Sequence, residues 1–115
     1  MTAGGSPWTV TLTAAAEADF QDIIAWTQEQ LGDRQARLYA EILSSAIVAL
    51  VEGPATIGSR ERREVGEGLF TLHVARNGRK GRHFVLFRVR RGKRQVEILR
   101  LLHDAMDLRL HSLGS

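Results

Sequence analysis

The residues best suited to chemistry in this 115-residue chain are one histidine and three arginines near the ends of apolar segments. His103 and Arg100 lie at the end of the last apolar segment. Arg88 lies in the apolar segment before it, and Arg82 lies just before that segment begins. An imidazole can exchange a proton near neutral pH, and guanidinium groups can stabilise the negative charge of a reacting phosphate. These four residues could therefore support metal-independent cleavage of RNA. The simpler interpretation, which we favour, is that His103 caps the following segment and bonds Asp107.

Other residues with chemical potential have simpler structural interpretations. Tyr39, the only tyrosine, lies on the apolar stripe of a predicted helix and far in sequence from the sheet end, so we interpret it as a core aromatic. His73 and His83 are expected to face each other across a hairpin as a polar pair. The four histidines match no zinc spacing and the chain has no cysteine, so we expect no metal site and no cofactor.

Charge is distributed unevenly along the chain, whose net charge is +3 and whose isoelectric point is about 10.2. Residues 1–57 contain two arginines and seven acidic residues, a net charge of −5. Residues 58–115 contain fourteen basic and six acidic residues, a net charge of +8. A cationic half of this kind attracts an acidic partner, either a protein or a nucleic acid.

Length and composition predict one soluble domain. With 43% hydrophobic and 25% charged residues, the chain is ordinary for a globular protein and large enough for one core. No apolar run approaches the roughly 20 residues that cross a bilayer, and residues 1–7 lack the features of a secretion signal. We therefore expect a flexible N-terminus over residues 1–7, a single domain over residues 8–113, no membrane association and a cytoplasmic location.

The first half of the chain predicts a strand followed by two helices. Residues 8–12 alternate between apolar and polar types, as in a half-buried strand, and Thr13 is a suitable helix N-cap. Apolar residues then recur at helical spacing up to Gly32, which ends the first helix. A second apolar stripe follows Asp33, its predicted N-cap, and stops before Pro54. Because the connection is so short, the two helices should form an antiparallel hairpin.

The second half of the chain predicts a sheet. Three apolar segments of strand length, 69–75, 84–89 and 96–102, follow one another as a meander. A short edge strand is expected at 62–65. The predicted fold class is α+β, with an N-terminal helical hairpin packed on a twisted antiparallel sheet and a short helical segment at the C-terminus.

The two basic loops of this meander, residues 76–82 and 90–94, are expected at opposite ends of the sheet. The third strand runs back toward the end where loop 76–82 lies, so His103, Asp104 and Arg109 should lie beside that loop. Neither loop is interleaved with aromatic residues that could stack on bases. Solvated hairpin tips are the default interpretation, and attraction to an acidic partner is the functional alternative.

The middle strand of the meander predicts a surface for a partner. Both faces of residues 84–89 are mostly apolar, which is typical of a strand covered on both sides. The chain supplies only one helical hairpin, so we expect the second face to stay uncovered until a partner binds it. Phe84, Leu86 and Arg88 are the predicted docking residues for that partner.

Three stretches of the chain resemble the ParE branch of the RelE/ParE superfamily, the toxins of bacterial type II toxin–antitoxin modules. Residues 12–27 are similar to the first helix of that family, and residues 81–89 also match it. Residues 96–107 resemble its final strand and its terminal His-x-x-x-Asp segment. The order and spacing of these stretches extend the resemblance over residues 8–113.

The resemblance implies a cognate antitoxin of the ParD type, acidic in character, that wraps the toxin in a hetero-oligomer and neutralises it. For the ParE branch it implies poisoning of DNA gyrase, and for the RelE branch cleavage of messenger RNA on the ribosome. The lack of a C-terminal tyrosine and the His-x-x-x-Asp ending favour gyrase. A degenerate member that binds its antitoxin but poisons nothing is a third alternative. The predicted target contacts are Arg100, His103, Asp104, Asp107 and Arg109.

Overall fold

The computed structural model describes residues 7–106 of the chain. Within that range the elements follow the predicted order of a strand, a helical hairpin and a run of strands. The helices are α1 (Ala14–Leu31) and α2 (Asp33–Ala49). The strands are β1 (Thr9–Leu12), β2 (Arg60–Glu61), β3 (Leu69–His73), β4 (His83–Arg90) and β5 (Gln95–His103). The two helices pack on the sheet, which confirms the α+β class.

The described strands form one sheet in the order β1-β5-β4-β3-β2, and this sheet is mixed. Strands β2 to β5 are antiparallel neighbours, as predicted for the meander. Strand β1 runs parallel to β5, with Val10 opposite Val96, so the prediction of an antiparallel sheet is wrong at this edge. An alternating pattern identifies a strand, but it carries no information about the direction of the neighbouring strand.

The start of α1 is fixed by Thr13, which acts as the predicted N-cap. Its Oγ1 accepts a hydrogen bond from the Ala16 N–H at 3.1 Å and donates one to the Leu99 carbonyl at 2.9 Å. One hydroxyl therefore caps the helix and ties it to β5. Gly32 separates the two helices with a φ of +92°, a conformation that favours glycine. Gly32 also occupies the N-cap position of α2, so the prediction of Asp33 at that position is wrong by one residue.

The stretch Asp33–Ala55 is long and apolar enough to cross a membrane when judged by length and composition alone, with a mean hydropathy of 1.3. The expectation that no segment approaches that length is therefore wrong on those two criteria. The stretch is not one continuous α-helix, because α2 gives way to a 3₁₀ turn over Leu50–Ala55 in which Gly53 leaves helical geometry. Leu43 and Ala46 are buried in the core, so the apolar residues of this stretch include those that pack α2 on the sheet.

The predicted edge strand at 62–65 is displaced toward the N-terminus, where the two-residue strand β2 pairs with β3. Residues 62–65 form a turn instead, closed by a hydrogen bond from the Val65 N–H to the Arg62 carbonyl at 3.0 Å. The Arg62 side chain also donates from Nε to Oγ1 of Thr71 at 2.9 Å, which holds the turn against the sheet. After β5, residues 104–106 form a turn, and the rest of the predicted C-terminal helical segment lies outside the described residues.

The main core lies between the helical hairpin and one face of the sheet. Its fully buried side chains include Leu43 of α2 and Leu72, Phe87 and Ile98 of the sheet. Burial of a side chain of this size stabilises a fold by about 1.5–3 kcal/mol relative to exposure. Because side chains alternate along a strand, Phe87 faces the helices and Leu86 faces the opposite side.

That opposite side carries a second apolar cluster, which we call the second-face cluster. It consists of four buried leucines: Leu69, Leu86, Leu99 and Leu102. Val65 and Phe84, both partly buried, pack against it. Leu86 is 0% exposed, so the prediction of a bare docking surface at this residue is wrong. The turn at 62–65, where an edge strand was expected, contributes to this burial because it places Val65 against the cluster.

Candidate functional site

An open groove of about 760 Å³ lies between the helical hairpin and the loop that joins β3 to β4. We call it the hairpin groove. One wall consists of apolar side chains of α1 and α2: Ile23, Trp26, Leu31, Leu38 and Ile42. The other wall consists of loop residues 79–82 with His83 and His103. The helices and the predicted basic loop therefore meet at this site.

The apolar wall of the hairpin groove is largely open to solvent. Trp26 is 60% exposed, Leu31 is 61% exposed and Leu38 is 41% exposed. Near the turn between the helices, the buried residues are the small Thr27 and Ala36, so the large side chains remain outside. Several large apolar side chains exposed together commonly mark a surface that binds another molecule.

The loop wall of the hairpin groove is cationic. Arg79, Lys80 and Arg82 are exposed and line the groove. The side chains of Arg79 and Lys80 form no hydrogen bond or ion pair with any residue between 7 and 106. Asp22 contributes one carboxylate on the helical side. An apolar wall facing a cationic wall suits a ligand with an apolar face and acidic edges.

Tyr39 joins α2 to the end of the sheet beside the groove. Its hydroxyl oxygen lies 2.6 Å from Nδ1 of His83 and accepts a hydrogen bond from the Arg82 N–H at 3.0 Å. Among residues 7–106, Nδ1 of His83 is the one acceptor within hydrogen-bond distance of this hydroxyl, so we assign the tyrosine proton to that contact. With this assignment, His83 carries its own proton on Nε2. Tyr39 packs against the main core, which confirms its interpretation as a core aromatic. Its distance in sequence from the sheet end does not keep it away from that end, because the return of α2 over the sheet brings its hydroxyl there.

Burial sets the ionisation of Tyr39 and His83. Desolvation, and then the neighbouring His103, lower the pKa of His83 from its ordinary 6.5 to about 4. Burial raises the pKa of Tyr39 above its ordinary 10.0. Both groups are therefore neutral at pH 7, as a hydrogen bond from a hydroxyl donor to an imidazole acceptor requires.

His103 lies directly opposite His83 in the antiparallel register of β4 and β5, with ring centroids 5.3 Å apart. We call these two residues the histidine pair. Nδ1 of His103 accepts a hydrogen bond from the Ala105 N–H at 3.1 Å, so this histidine caps the following turn, in agreement with the simpler sequence interpretation. Its proton is therefore on Nε2, as in His83. The expected bond to Asp107 lies outside the described residues.

His73 does not face His83, because it lies opposite Phe84 in the register of β3 and β4. The predicted polar pair of these two histidines is therefore wrong. His73 donates from Nε2 to Oδ2 of Asp104 at 3.0 Å, and its Nδ1 accepts from the Ala75 N–H at 3.0 Å. The hydrogen bond from His73 is the main reason that the pKa of Asp104 lies below its ordinary 3.8.

Asp104 also holds the basic loop against the end of β5. Its N–H donates to the Arg82 carbonyl at 2.8 Å, and its Oδ1 lies 3.5 Å from Nε of Arg82. The prediction that loop 76–82 lies beside Asp104 is therefore confirmed. Loop 90–94 lies at the opposite end of the sheet, beside β1, as was also predicted.

Arg100, a candidate for both catalysis and target binding, connects β5 to α1. Its Nε and Nη2 donate to the two carboxylate oxygens of Asp19 at 2.7 and 3.0 Å. Oδ2 of Asp19 also accepts a hydrogen bond from the Leu101 N–H at 2.9 Å, which satisfies a strand amide beyond the end of β1. This pairing raises the pKa of Arg100 and occupies two of the donors that a phosphate would use.

The other sequence candidates divide by position. Arg82 and His103 line the hairpin groove, whereas Arg88 and Arg100 do not, so the groove assembles only two of the four proposed catalytic residues. Phe84 and Arg88 are half-buried away from the groove, and a partner there stays a prediction. The proposed target contacts Asp107 and Arg109 lie outside the described residues. Between residues 7 and 106, no three histidine or acidic side chains are grouped so as to hold a metal ion.

The sequence does not reveal the main features of the hairpin groove. The pairing of Tyr39 with His83 joins residues that are 44 positions apart. One signal is present in the sequence, because large apolar residues continue along both helices to Leu31 and Leu38, on either side of the turn.

Comparison with known proteins identifies the family of this chain. The family model described as the ParE toxin of the type II toxin–antitoxin system, parDE, matches residues 10–108. Toxin ParE1 of Caulobacter vibrioides is 34% identical over 100 residues, which cover 87% of this chain and 93% of that protein. Toxin ParE of Escherichia coli is 31% identical over 97 residues, which cover 84% of this chain and 85% of that protein.

Solved structures share the fold. A chain of the chromosomal ParDE TA system from P. aeruginosa has a TM-score of 0.69 at 22% identity, covering 84% of this chain and 95% of its own length. A chain of the toxin–antitoxin complex RelBE2 from Mycobacterium tuberculosis has a TM-score of 0.57 at 26% identity, covering 89% of this chain and 97% of its own length. Because the family model spans most of the sequence and both relatives exceed 30% identity, this chain belongs to the ParE toxin family of type II toxin–antitoxin systems.

Proposed function

We propose that this toxin is neutralised when an acidic segment of its antitoxin binds the hairpin groove, and that its target is DNA gyrase. The observation that carries the proposal is the groove itself. In it, exposed Trp26, Leu31 and Leu38 face Arg79 and Lys80, whose side chains have no partner among residues 7–106. A surface of this kind is costly to leave in water and suits a partner that shields it.

An amphipathic helix is the antitoxin element that fits the groove best. Such a helix is about 10 Å across and presents apolar side chains at intervals of three and four residues, which match the two rows of apolar residues on α1 and α2. Acidic residues along its edge would pair with Arg79, Lys80 and Arg82. The similar solved structures come from toxin–antitoxin systems, which supports a partner of this class.

Gyrase is favoured over RNA as the target by the state of the imidazoles at this end of the sheet. His73, His83 and His103 each use Nδ1 as an acceptor, so each neutral ring carries its proton on Nε2. A general base needs a free lone pair within reach of the 2′-hydroxyl, and none of these rings offers one without first breaking a hydrogen bond. Membership of the ParE family supports the same target, and action on gyrase requires a cytoplasmic location.

One observation favours the alternative of a ribosome-dependent messenger RNA endoribonuclease. Arg82, His83 and His103 lie together on one wall of an open groove, as the cationic and proton-transferring groups of a nuclease would. In that mechanism Arg82 would stabilise the charge of the phosphorane, and His103 would transfer the proton. A family member that binds its antitoxin without poisoning a target is the third alternative.

Parallel assays of the purified chain, free of antitoxin, separate these functions. We expect the chain to inhibit DNA supercoiling by gyrase and to leave ribosome-bound messenger RNA intact. Cleaved message with normal supercoiling would identify the endoribonuclease. Activity in neither assay, from a chain that circular dichroism shows to be folded, would identify an inactive member that only binds its antitoxin.

A further inference from the structure

We infer that the histidine pair, His83 and His103, forms a binding site for a carboxylate on the loop wall of the hairpin groove. The antitoxin would place the side chain of an aspartate or glutamate against the two Nε2–H groups. The inference rests on the proposed function, because it specifies one contact within the proposed antitoxin interface. It adds a requirement for an acidic group at a defined point, which the apolar wall alone does not impose.

The hydrogen bonds of the histidine pair leave one nitrogen free in each ring. Nδ1 of His83 accepts from the Tyr39 hydroxyl, and Nδ1 of His103 accepts from the Ala105 amide. Neither Nε2–H donates to any residue in the described part of the chain. Among residues 7–106, Arg76 Nε is the one buried side-chain nitrogen or oxygen without a partner, so both Nε2 groups reach solvent.

The two rings are near neighbours, so one ligand can approach both. The rings are 5.3 Å apart, centre to centre, and nearly perpendicular, at 77°. A carboxylate has two oxygens that can each accept more than one hydrogen bond, so it can accept from both rings at once. Lys80 and Arg82 on the same wall add positive charge, whereas Asp104 is already paired with His73 and Arg82. The opposing charges are Asp22 on the helical wall and Asp104, whose Oδ1 lies 3.6 Å from Nδ1 of His103. Because the charge of Asp104 is offset by Arg82, the cations of the loop wall still favour an anion.

The rest of the groove identifies the source of that anion as a protein side chain. Trp26, Leu31 and Leu38 would lie against the same ligand, and an apolar helix face satisfies them. A nucleic-acid strand would bring a row of phosphates, which lose hydration against an apolar wall without gaining partners. Carboxylate oxygens also accept strong hydrogen bonds, because an ionised acceptor strengthens and shortens the bond.

Two substitutions of His103 form a matched pair. In His103→Asn the side-chain amide lies at the position of Nδ1, so it keeps the acceptor for the Ala105 amide and removes the donor at Nε2. In His103→Gln the amide lies one bond further out, at the position of Nε2, so it restores a donor toward the groove. The Asn variant therefore tests the donor without removing the cap of the following turn.

Nuclear magnetic resonance of the histidine rings in the full chain tests the site directly. The probes are two monoanions, acetate for a carboxylate side chain and dimethyl phosphate for a nucleic-acid backbone. We expect acetate to shift the Nε2 signals of His83 and His103, while His73, already bonded to Asp104, stays unchanged. His103→Asn should weaken acetate binding by about tenfold, which corresponds to one charge-assisted hydrogen bond, and His103→Gln by less than about threefold.

Three results would overturn the carboxylate site: acetate shifts neither ring, it shifts all three described histidines alike, or dimethyl phosphate binds as tightly as acetate. None of these results would remove the hairpin groove as an antitoxin surface. Val48→Ala should leave acetate binding unchanged, because Val48 is exposed on α2 and does not line the groove. Failure of the proposed function would instead appear in the gyrase and antitoxin assays, with the acetate result intact.

Discussion

Two apolar surfaces of this toxin differ in their exposure to solvent. The second-face cluster is closed, with Leu86 fully buried and Val65 packed against it by the chain's own turn at 62–65. The apolar wall of the hairpin groove is open, with Trp26 and Leu31 each more than half exposed. The first surface is part of the fold, and the second is available to a partner.

The difference between these surfaces shows that apolar composition does not determine exposure. Residues 84–89 are more continuously apolar than the hairpin near Gly32, yet the hairpin is the region left uncovered. Coverage depends on where the connecting segments run.

Leu86→Ala should have the largest effect, a loss of about 3 kcal/mol in the free energy of unfolding. The substitution leaves a cavity among four leucines that are already packed together. Urea unfolding followed by circular dichroism measures the change. Val48→Ala is the control, because Val48 is 64% exposed on α2, and it should change stability by less than about 0.5 kcal/mol. A loss below about 1 kcal/mol for Leu86→Ala would mean that the second face is open after all.

Trp26→Ala should weaken antitoxin binding and leave the stability of the fold nearly unchanged. We expect antitoxin binding to weaken by about 2 kcal/mol, roughly 30-fold, because an exposed tryptophan in a groove is a typical anchor for a partner. The free energy of unfolding should change by less than about 0.5 kcal/mol, since the side chain is 60% exposed. Calorimetric titration with the antitoxin measures the affinity. Unchanged affinity with reduced stability would assign Trp26 to the fold and remove the groove as the interface.

Much of the fold could be predicted because its signals are local. Thr13 caps α1 through its own hydroxyl, and Gly32 ends it through a backbone conformation that glycine favours. In the loop between β3 and β4, Asn77 and Gly78 have positive φ, a conformation that these two residue types accept. The direction of β1 could not be predicted, because it is set by the contacts that residues 9–12 make with β5.

The site was less predictable because its contacts join distant parts of the chain. Arg100 looked available from its position in a strand, but its partner Asp19 lies on the first helix. Tyr39 looked like a core residue from its place on an apolar stripe, but its hydroxyl bonds His83. In each case the sequence indicated the type of side chain but not the residue that it bonds. A polar side chain in a folded protein is defined as much by its partner as by its own chemistry.

The Tyr39–His83 bond connects the open groove to the closed core, and it predicts a dependence of stability on pH. The pKa of His83 is about 4 in the folded chain and near 6.5 in an unfolded one, so the unfolded state binds the proton more readily. Stability from this group is complete above pH 6.5 and is lost as the pH falls from 6.5 to 4. Allowing for solvent screening of a half-buried ring, we expect about 1 kcal/mol to be lost between pH 7 and pH 5.

Unfolding measured across this pH range in the native chain and in His83→Asn isolates the contribution. The Asn side chain keeps an acceptor for the Tyr39 hydroxyl and cannot titrate, so the other histidines contribute equally to both profiles. The pKa of Asp104 is lowered from its ordinary 3.8, so its effect on stability falls below the pH range tested. Identical slopes in the two proteins would show that His83 is exposed enough to titrate normally, and that the groove is open at this end too.

The smallest expected effect decides which surface attracts the acidic partner. Lys80→Glu reverses a charge on the loop wall of the groove, and Arg88→Glu reverses one beside the second-face cluster. We expect Lys80→Glu to weaken antitoxin binding by about 0.5–1 kcal/mol at low salt, with the loss shrinking at high salt, because exposed charges are screened. Arg88→Glu should have less effect, since Arg88 does not line the groove.

Both variants carry the same change in net charge, so any general loss of attraction is equal and their difference reports position alone. If Arg88→Glu proved the more damaging, the antitoxin would also cross the face that Leu86 occupies. The closed surface would then be an interface formed over a core that is already complete, and the open groove would be only one part of the contact. A larger effect at Lys80 would keep the two surfaces separate, one for folding and one for neutralisation.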